Sequence, residues 1–328
     1  MSATPTERAV AIAAVRAAAE LCVAVRARFD AHLRTDKADR SPVTVADLGA
    51  QVLVSRALAA AFPDDPLVGE EDAGSVADPA MLAEVVAAVH GREPGIDGAA
   101  GEGGPDRGGA DGGAAGRWWT LDPVDGTKGY LRDEQYAVAL ALLVDGQPVL
   151  GVLGCPNLPR GDGNGTGVLV VAERGRGAVE LALGDPDAPA RPLRVAPVRE
   201  ARAARYAESV EAAHSAQDEA ARIAERLGID APPLRMDSQA KYAVVARGDA
   251  SIYLRIPHGD YRENVWDHAA GVLVVEEAGG RVRDVDGRTL DFTRGRRLTA
   301  NRGIVAAPDA IADAVIDAVR AVLAEPAA

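Results

Sequence analysis

The chain has 328 residues, of which 48% are hydrophobic and 26% charged, and its formal net charge at pH 7 is −13. This composition is globular, and the length suits one large or two modest domains. The acidic balance excludes a protein that coats nucleic acid polymers, because such surfaces are basic. A small anionic ligand stays compatible with it, since local cations or metals can invert the field at one site.

The two cysteines, Cys22 and Cys155, are too few for a disulfide framework, and we expect buried thiols in a reducing compartment. The sequence has no run of about 18 apolar residues, and its N-terminus has no basic stretch followed by an apolar core. We therefore expect a cytoplasmic protein without a membrane span or secretion signal.

The first part of the chain predicts two helices. Residues 4–7 match a capping box with proline at the first helical position, and an Ala-rich helix is expected to follow to about His32. Residues 44–47 indicate a second helix start, and that helix should run to about Ala61.

A sharp change in composition follows. Leu67-Val68 is a short apolar run that stops at Gly69-Glu70-Glu71, and residues 79–90 predict another helix. Residues 91–116 then hold 11 glycines in 26 positions. Such a segment cannot bury enough apolar surface to offset its ordering entropy. We interpret it as a flexible surface insertion, and a lid over a site is the alternative.

Strands and hairpins dominate the next part. Residues 118–121 form a strand-like run that leads into the stretch DPVDGT at 122–127, and an Asp-Gly pair at 145–146 predicts a hairpin. The other strands are expected at 136–144, 147–153, 168–172 and 177–183. Residues 184–192 indicate a linker between two subdomains.

The C-terminal part mixes helices and strands. The predicted helices lie at about 215–227, 239–247, 266–280 and 310–323, and the predicted strands at 234–236 and 251–256. Gly279-Gly280 is a good helix C-cap. The irregular order of helices and strands, together with the hairpins, favours a layered α/β (α+β) architecture over a doubly wound sheet.

Acidic residues stand at the ends of four predicted elements: Asp47, Glu70, Asp122 with Asp125, and Asp267. Taken singly, each has an ordinary interpretation as a capping, turn or solvated residue. Together they offer the oxygen ligands that Mg²⁺ prefers. Two such ions about 4 Å apart can hold a phosphate for in-line attack by water.

The stretch DPVDGT has a spacing that suits such a site. Pro123 restricts the backbone between the two acids, which would direct both carboxylates and the Val124 carbonyl toward one point. Gly126 and Thr127 then open a predicted helix whose N-terminal amides suit a phosphate, and the Thr127 hydroxyl could orient an attacking water.

Three stretches resemble the signatures of the inositol monophosphatase superfamily, the lithium-sensitive, magnesium-dependent phosphomonoesterases. They are GEE at 69–71, DPVDGTKGYLR at 122–132 and WDHAAGVLVVEEAGG at 266–280. The resemblance covers about residues 8 to 320 and implies an α-β-α-β-α sandwich. It also implies two subdomains, with most metal ligands in residues 1–190 and the nucleotide-binding residues and last metal ligand in 191–328.

Further stretches are similar to the 3′(2′),5′-bisphosphate nucleotidase branch. They include SPVTVADLGAQ at 41–51, SVEAAHS at 209–215, DSQAKYAVVARGDASIYLR at 237–255 and ENVWDHAAG at 263–271. The main discriminator is TKGYLR after DPVDG. This branch removes the 3′-phosphate from adenosine 3′,5′-bisphosphate, the by-product of sulfate transfer, and from 3′-phosphoadenylyl sulfate.

The resemblance implies a role for each matching position. The implied ligands of two or three Mg²⁺ ions are Glu70, Asp122, Asp125, Asp267 and the Val124 carbonyl. Asp47 and Thr127 match the pair that activates the attacking water. Glu211 and His214 match positions near the adenine, and Ser238, Lys241 and Arg255 match positions that hold the ribose and the uncleaved phosphate. Gly126 joins the substrate-binding set through its backbone.

Several alternatives stay open at this point. The substrate could be an inositol phosphate or another 2′- or 3′-phosphorylated nucleoside, and a non-catalytic metal- or nucleotide-binding protein is a second alternative. A third is an acidic globular protein whose aspartates serve caps and turns. For His268 we expect a structural role beside a ligand, and Trp266 should pack rather than bind. We expect a small nucleotide substrate, no nucleic acid polymer, no membrane, and a monomer or homodimer.

Overall fold

The computed structural model describes residues 2–32, 42–71, 116–210, 217–256, 259 and 261–325. The helices in these ranges are α1 Pro5–His32, α2 Pro42–Ala61, α3 Thr127–Leu131, α4 Gln217–Leu227, α5 Ala240–Arg247, α6 Ala269–Glu277 and α7 Asp309–Ala324. The strands are β1 Leu67–Gly69, β2 Arg117–Asp125, β3 Ala137–Val144, β4 Gln147–Pro159, β5 Thr166–Glu173, β6 Gly177–Ala182, β7 Arg191–Pro192, β8 Tyr206–Glu208, β9 Leu234–Arg235, β10 Ile252–Arg255, β11 Gly280–Arg283 and β12 Ile304–Pro308.

The strands form two mixed sheets. Sheet 1 has the order β1-β2-β3-β4-β5-β6-β7, in which the β1–β2 pair is parallel and every other pair antiparallel. Sheet 2 has the order β11-β12-β10-β8-β9. Its β12 is antiparallel to both neighbours, whereas β10, β8 and β9 run parallel. Each sheet therefore contains one parallel region, and in sheet 1 that region is the β1–β2 pair.

Three hydrophobic cores join five layers. One core packs α1 and α2 on sheet 1, a second holds α5 and α6 between the two sheets, and a third packs α4 and α7 on the outer face of sheet 2. This arrangement confirms the predicted α-β-α-β-α sandwich. The subdomain boundary at residue 190 stays a prediction.

Local signals account for the start of α1 and for one hairpin. The Glu7 amide donates to Thr4 Oγ1 at 3.3 Å, and the Thr4 amide donates to Glu7 Oε2 at 2.6 Å, which is the predicted capping box. Asp145 and Gly146 both have positive φ, 50° and 71°, as the tight turn between β3 and β4 requires. Both predictions are confirmed because they depend on neighbouring residues alone.

Other boundaries differ from the sequence prediction. Strand β2 does not end at Leu121 but continues through Asp125, and α6 begins at Ala269 because residues 266–268 form a turn. The predicted helix at 79–90, and the glycine-rich segment up to residue 115, lie outside the described residues. Among the described helices, none has the length and apolar character needed to cross a membrane.

Two glycines on β4 allow helices to approach sheet 1 on both faces. A Cβ at Gly151 would lie 2.8 Å from the Ala270 carbonyl oxygen of α6, and a Cβ at Gly154 would lie 2.8 Å from Val15 Cγ1 of α1. Residues three apart on a strand face opposite ways. The position of α6, which follows Asp267, therefore depends on Gly151.

We predict that Gly151→Ala lowers the free energy of unfolding by about 1–3 kcal/mol, because a backbone carbonyl of α6 would have to move. Urea denaturation measures this change. Gly184→Ala is the control, since a Cβ there meets nothing within 4 Å, and its effect should stay within about 0.5 kcal/mol. Equal stabilities of the two variants would contradict the close approach.

Candidate active site

The parallel pairing of β1 and β2 brings two acids together at one end of sheet 1. Gly69 is aligned with Leu121, and the Glu70 amide donates to the Leu121 carbonyl at 3.1 Å. Glu70, directly after β1, therefore lies beside Asp122 within β2, and their carboxyl groups lie within hydrogen-bonding reach. Burial, followed by the charge of Asp267, raises the pKa of Glu70 to about 7.

A bulge in β2 turns Asp122 and Asp125 to the same face. Asp122 is aligned with Ala139 and Asp125 with Ala137, so three steps along β2 match two along β3. Residues three apart normally face opposite sides of a sheet, and one extra residue cancels that alternation. Proline, which donates no ladder hydrogen bond, is tolerated at such a bulge. The residues between the acids thus create the bulge that brings the acids together.

Two further acids complete what we call the acid cluster: Asp47, Glu70, Asp122, Asp125 and Asp267. Asp267 lies in the turn before α6, and Asp47 lies on α2 with 8% of its surface exposed. Burial raises the pKa of both Asp122 and Asp125, and neighbouring carboxylates that include Asp267 raise each pKa further. Burial, followed by the charges of Glu70 and Glu71, raises the pKa of Asp47 to about 8. The five acids therefore repel one another within one site.

The donor set of the acid cluster fits Mg²⁺. Asp122 Oδ1 is buried and has no hydrogen-bond partner within the described ranges, which is unfavourable unless a cation satisfies it. Thr127 Oγ1 donates to the Val124 carbonyl at 3.4 Å, which places the hydroxyl beside the carboxylates. Carboxylate and carbonyl oxygens are the ligands that hard divalent cations take.

Two cationic side chains face the acid cluster from the other side. The charges of Lys241 on α5 and Arg255 on β10 both lower the pKa of Asp125 against the effect of burial. Lys241 is 3% exposed, and its Nζ donates to the Met236 carbonyl at 3.3 Å and lies 5.4 Å from the Tyr253 ring centroid. Burial lowers the pKa of Lys241 to about 8. A second phosphate is the group that such a cationic pair suits.

The loop at 237–239 joins the acid and cation sides. The Gln239 amide donates to Asp125 Oδ2 at 2.6 Å, and Gln239 Nε2 donates to the Trp266 carbonyl at 2.9 Å. A Cβ at Gly126 would lie 2.8 Å from Ser238 Cβ, and Gly126 has φ of 86°. Only glycine suits this position, because a side chain would be both strained and obstructed.

The structure brings together most of the predicted site residues, namely Asp47, Glu70, Asp122, Val124, Asp125, Gly126, Thr127, Ser238, Lys241, Arg255 and Asp267. Glu211 and His214 lie outside the described residues. The individual roles of all these residues stay predictions.

Residues that the sequence did not predict hold the site together. Besides Gln239, Arg296 donates through Nη2 to the Gly69 carbonyl at 2.9 Å, and its guanidinium lies 4.8 Å from the Trp266 ring centroid. Arg296 thus joins the segments that carry Glu70 and Asp267. No spacing signal could reveal it, since 227 positions separate Arg296 from Gly69. Trp266 packs, as expected.

The chain belongs to the inositol monophosphatase family, whose model matches residues 4–324. Members of this family are metal-dependent phosphatases. A 3′(2′),5′-bisphosphate nucleotidase of Emericella nidulans is 44% identical over 318 residues, which cover 88% of this chain and 90% of that relative. One from Oryza sativa is 43% identical over 347 residues, covering 97% and 95% of the two chains.

Solved structures share this fold. The structure of an inositol monophosphatase from Zymomonas mobilis matches with a TM-score of 0.63 at 21% identity, covering 97% of this chain and all (100%) of that chain. The comparisons therefore confirm the predicted family, fold and similarity to the bisphosphate nucleotidase branch.

Repulsion in the acid cluster predicts that the metal-free protein loses stability as the pH rises. The pKa values of Asp47 and Glu70 rise on folding from 3.8 and 4.5 to about 8 and about 7. Their favourable contribution is complete below about pH 4 and is lost as the pH rises through 7 to 8. In EDTA, the melting temperature should therefore be lower at pH 8 than at pH 6, and Mg²⁺ should raise it more at pH 8.

Asp122→Asn should flatten this pH dependence and weaken the effect of Mg²⁺, because it removes one carboxylate from the acid cluster. Asp317→Asn is the control, since the Asp317 side chain is 77% exposed on α7, and it should preserve both effects. If Mg²⁺ does not change the melting temperature of the wild-type protein at either pH, a metal site at the acid cluster is excluded.

Proposed function

We propose that the protein is a Mg²⁺-dependent 3′(2′),5′-bisphosphate nucleotidase. It removes the 3′-phosphate of adenosine 3′,5′-bisphosphate and of 3′-phosphoadenylyl sulfate. This proposal rests on one observation: Lys241 and Arg255 lie beside the acid cluster, and the charges of both lower the pKa of Asp125. The printed activity of relatives at 43–44% identity supports the same substrate class.

Five groups would hold two or three Mg²⁺ ions: the carboxylates of Glu70, Asp122, Asp125 and Asp267, and the Val124 carbonyl. When bound, Mg²⁺ supplies Lewis-acid stabilisation of the phosphate charge and lowers the pKa of water for attack.

Asp47 and Thr127 are the proposed pair that prepares the attacking water. Thr127 orients the water through its hydroxyl, which already lies 3.4 Å from the Val124 carbonyl. Asp47 accepts the proton through its carboxylate, which belongs to the acid cluster and is 8% exposed. Water attacks the 3′-phosphorus in line, the bond between phosphorus and the 3′-oxygen breaks, and the 3′-oxygen takes up a proton from solvent to leave as the nucleoside hydroxyl. No covalent enzyme intermediate forms.

The cation side holds the rest of the substrate. Lys241 and Arg255 bind the phosphate that is not cleaved, Ser238 contacts the ribose, and the Gly126 backbone contributes to phosphate binding. We assign Glu211 and His214 to the adenine on the resemblance alone. A cytoplasmic location and a monomeric or homodimeric state also stay predictions.

The first test is phosphate release from adenosine 3′,5′-bisphosphate and from inositol 1-phosphate, each with Mg²⁺ and with EDTA. We expect rapid, Mg²⁺-dependent release from the nucleotide and at most slow release from the inositol phosphate, which has no second phosphate for Lys241 and Arg255. Release from the inositol phosphate alone would make the protein a phosphatase of the same family with another substrate. No release from any phosphomonoester, with Mg²⁺ still bound, would indicate a non-catalytic binding protein.

Asp122→Asn should reduce kcat by at least about a hundredfold. Mutating residues that only hydrogen-bond to metal ligands already lowers activity by up to about a hundredfold, and Asp122 is itself a proposed ligand. The fold should persist, which circular dichroism can verify. Asp317→Asn serves again as the exposed control and should retain wild-type turnover. Near-normal turnover of Asp122→Asn would contradict the metal-site assignment.

A further inference from the structure

We propose that Glu263, His268 and Tyr242 form a buried hydrogen-bonded chain that positions Arg255 for the uncleaved phosphate. These three are positioning residues, and they set the preference for a substrate with two phosphates over one with a single phosphate. The inference rests on the proposed function, and it goes beyond that function by naming what orients the cation.

Glu263 lies between a cation and an imidazole. Its residue is 4% exposed, and its Oε2 lies 2.7 Å from Arg255 Nε and 3.1 Å from His268 Nε2. The Arg255 side chain remains 26% exposed. Because an ion pair at Nε fixes the plane of the guanidinium, the accessible part of Arg255 is presented in one orientation.

His268 connects Glu263 to Tyr242. The imidazole is fully buried, and its Nδ1 lies 2.8 Å from the Tyr242 hydroxyl oxygen. With the neutral imidazole, the phenol donates to Nδ1 and the Nε2 hydrogen is donated to Glu263. Both ring nitrogens then have partners, so the ring orientation is determined.

Tyr242 is seated by a glycine on the neighbouring helix. A Cβ at Gly271 of α6 would lie 2.1 Å from Tyr242 Cδ2, so the ring occupies the space that a side chain would fill. The Tyr242 ring meets the Tyr253 ring edge to face, with centroids 4.9 Å apart and planes at 85°. Tyr253 precedes Arg255 by two residues on β10 and lies beneath Lys241. The contacts of Tyr242 therefore connect α5, α6 and β10 next to Arg255 and Lys241.

A second metal site is the competing interpretation, because ligand atoms of Glu263, Asp267 and His268 lie within 4.8 Å of one another. The contacts disfavour it. Glu263 already neutralises Arg255, and both nitrogens of His268 are engaged. Removing a metal ligand would affect all substrates, whereas removing a positioning residue of Arg255 would affect only those with a second phosphate.

The test compares adenosine 3′,5′-bisphosphate with adenosine 3′-monophosphate, which lacks the second phosphate. Glu263→Gln should raise KM for the bisphosphate about tenfold or more, because it weakens a charge-assisted contact. It should leave kcat and KM for the monophosphate within about twofold. Tyr242→Phe removes only the buried hydroxyl and should raise the bisphosphate KM by a few fold, which keeps the test informative if Glu263→Gln folds poorly.

Two further variants separate positioning from general stability. Glu276→Gln is the matched control, because Glu276 is likewise a glutamate paired with an arginine, Arg174, at 2.6 Å; it should change neither substrate's KM. In the Arg255→Ala background, Glu263→Gln should add no further increase in the bisphosphate KM. Equal losses with both substrates, or an altered Mg²⁺ requirement, would overturn the proposal, as would an unchanged bisphosphate KM in both positioning variants.

A spectroscopic readout keeps the proposal separate from the proposed function. If the wild-type protein does not hydrolyse the bisphosphate, the proposed function fails. The arginine Nε–H NMR signals then still test whether Glu263 holds the Arg255 side chain in one orientation. The Arg255 signal, assigned through Arg255→Lys, should be sharp in the wild type and in Glu276→Gln. It should broaden or shift in Glu263→Gln, and an unchanged signal would overturn the positioning role.

Discussion

Mutual repulsion of carboxylates is the constraint on which this structure depends. The acid cluster gathers groups that burial and neighbouring charge both push toward their protonated forms. Such an arrangement costs free energy, and the packed cores between the five layers must supply the opposing stability. The acid cluster is thus a place where the fold accepts lower stability, as functional sites commonly do.

Three structural features fix four of the five acids, and this explains why the cluster does not relax. A parallel strand pair sets Glu70 beside Asp122, and a bulge turns Asp125 to the same face. A turn before α6 presents Asp267. Because backbone pairing determines these positions, side-chain rotation alone cannot separate the carboxylates.

On the cation side, the charges that must be compensated are positive. Lys241 is almost fully buried, and Arg255 is only partly exposed. Glu263 compensates Arg255 directly, and the acid cluster compensates both cations at longer range. In a chain with a net charge of −13, the site therefore keeps two cations on one side and its acids on the other.

The sequence by itself determined the features that depend on near neighbours. These include the capping box of α1, the tight turn between β3 and β4, and the acids of the DPVDGT motif. The composition and the signature stretches also sufficed for the fold class and the family.

Only the tertiary structure decided the bulge in β2, the alignment of Gly69 with Leu121, and the hydrogen-bonded chain from Tyr242 to Arg255. Arg296 likewise contacts a carbonyl 227 positions away. The physical reason is that strand register and buried polar contacts are set by partners distant in the chain, which no local periodicity encodes.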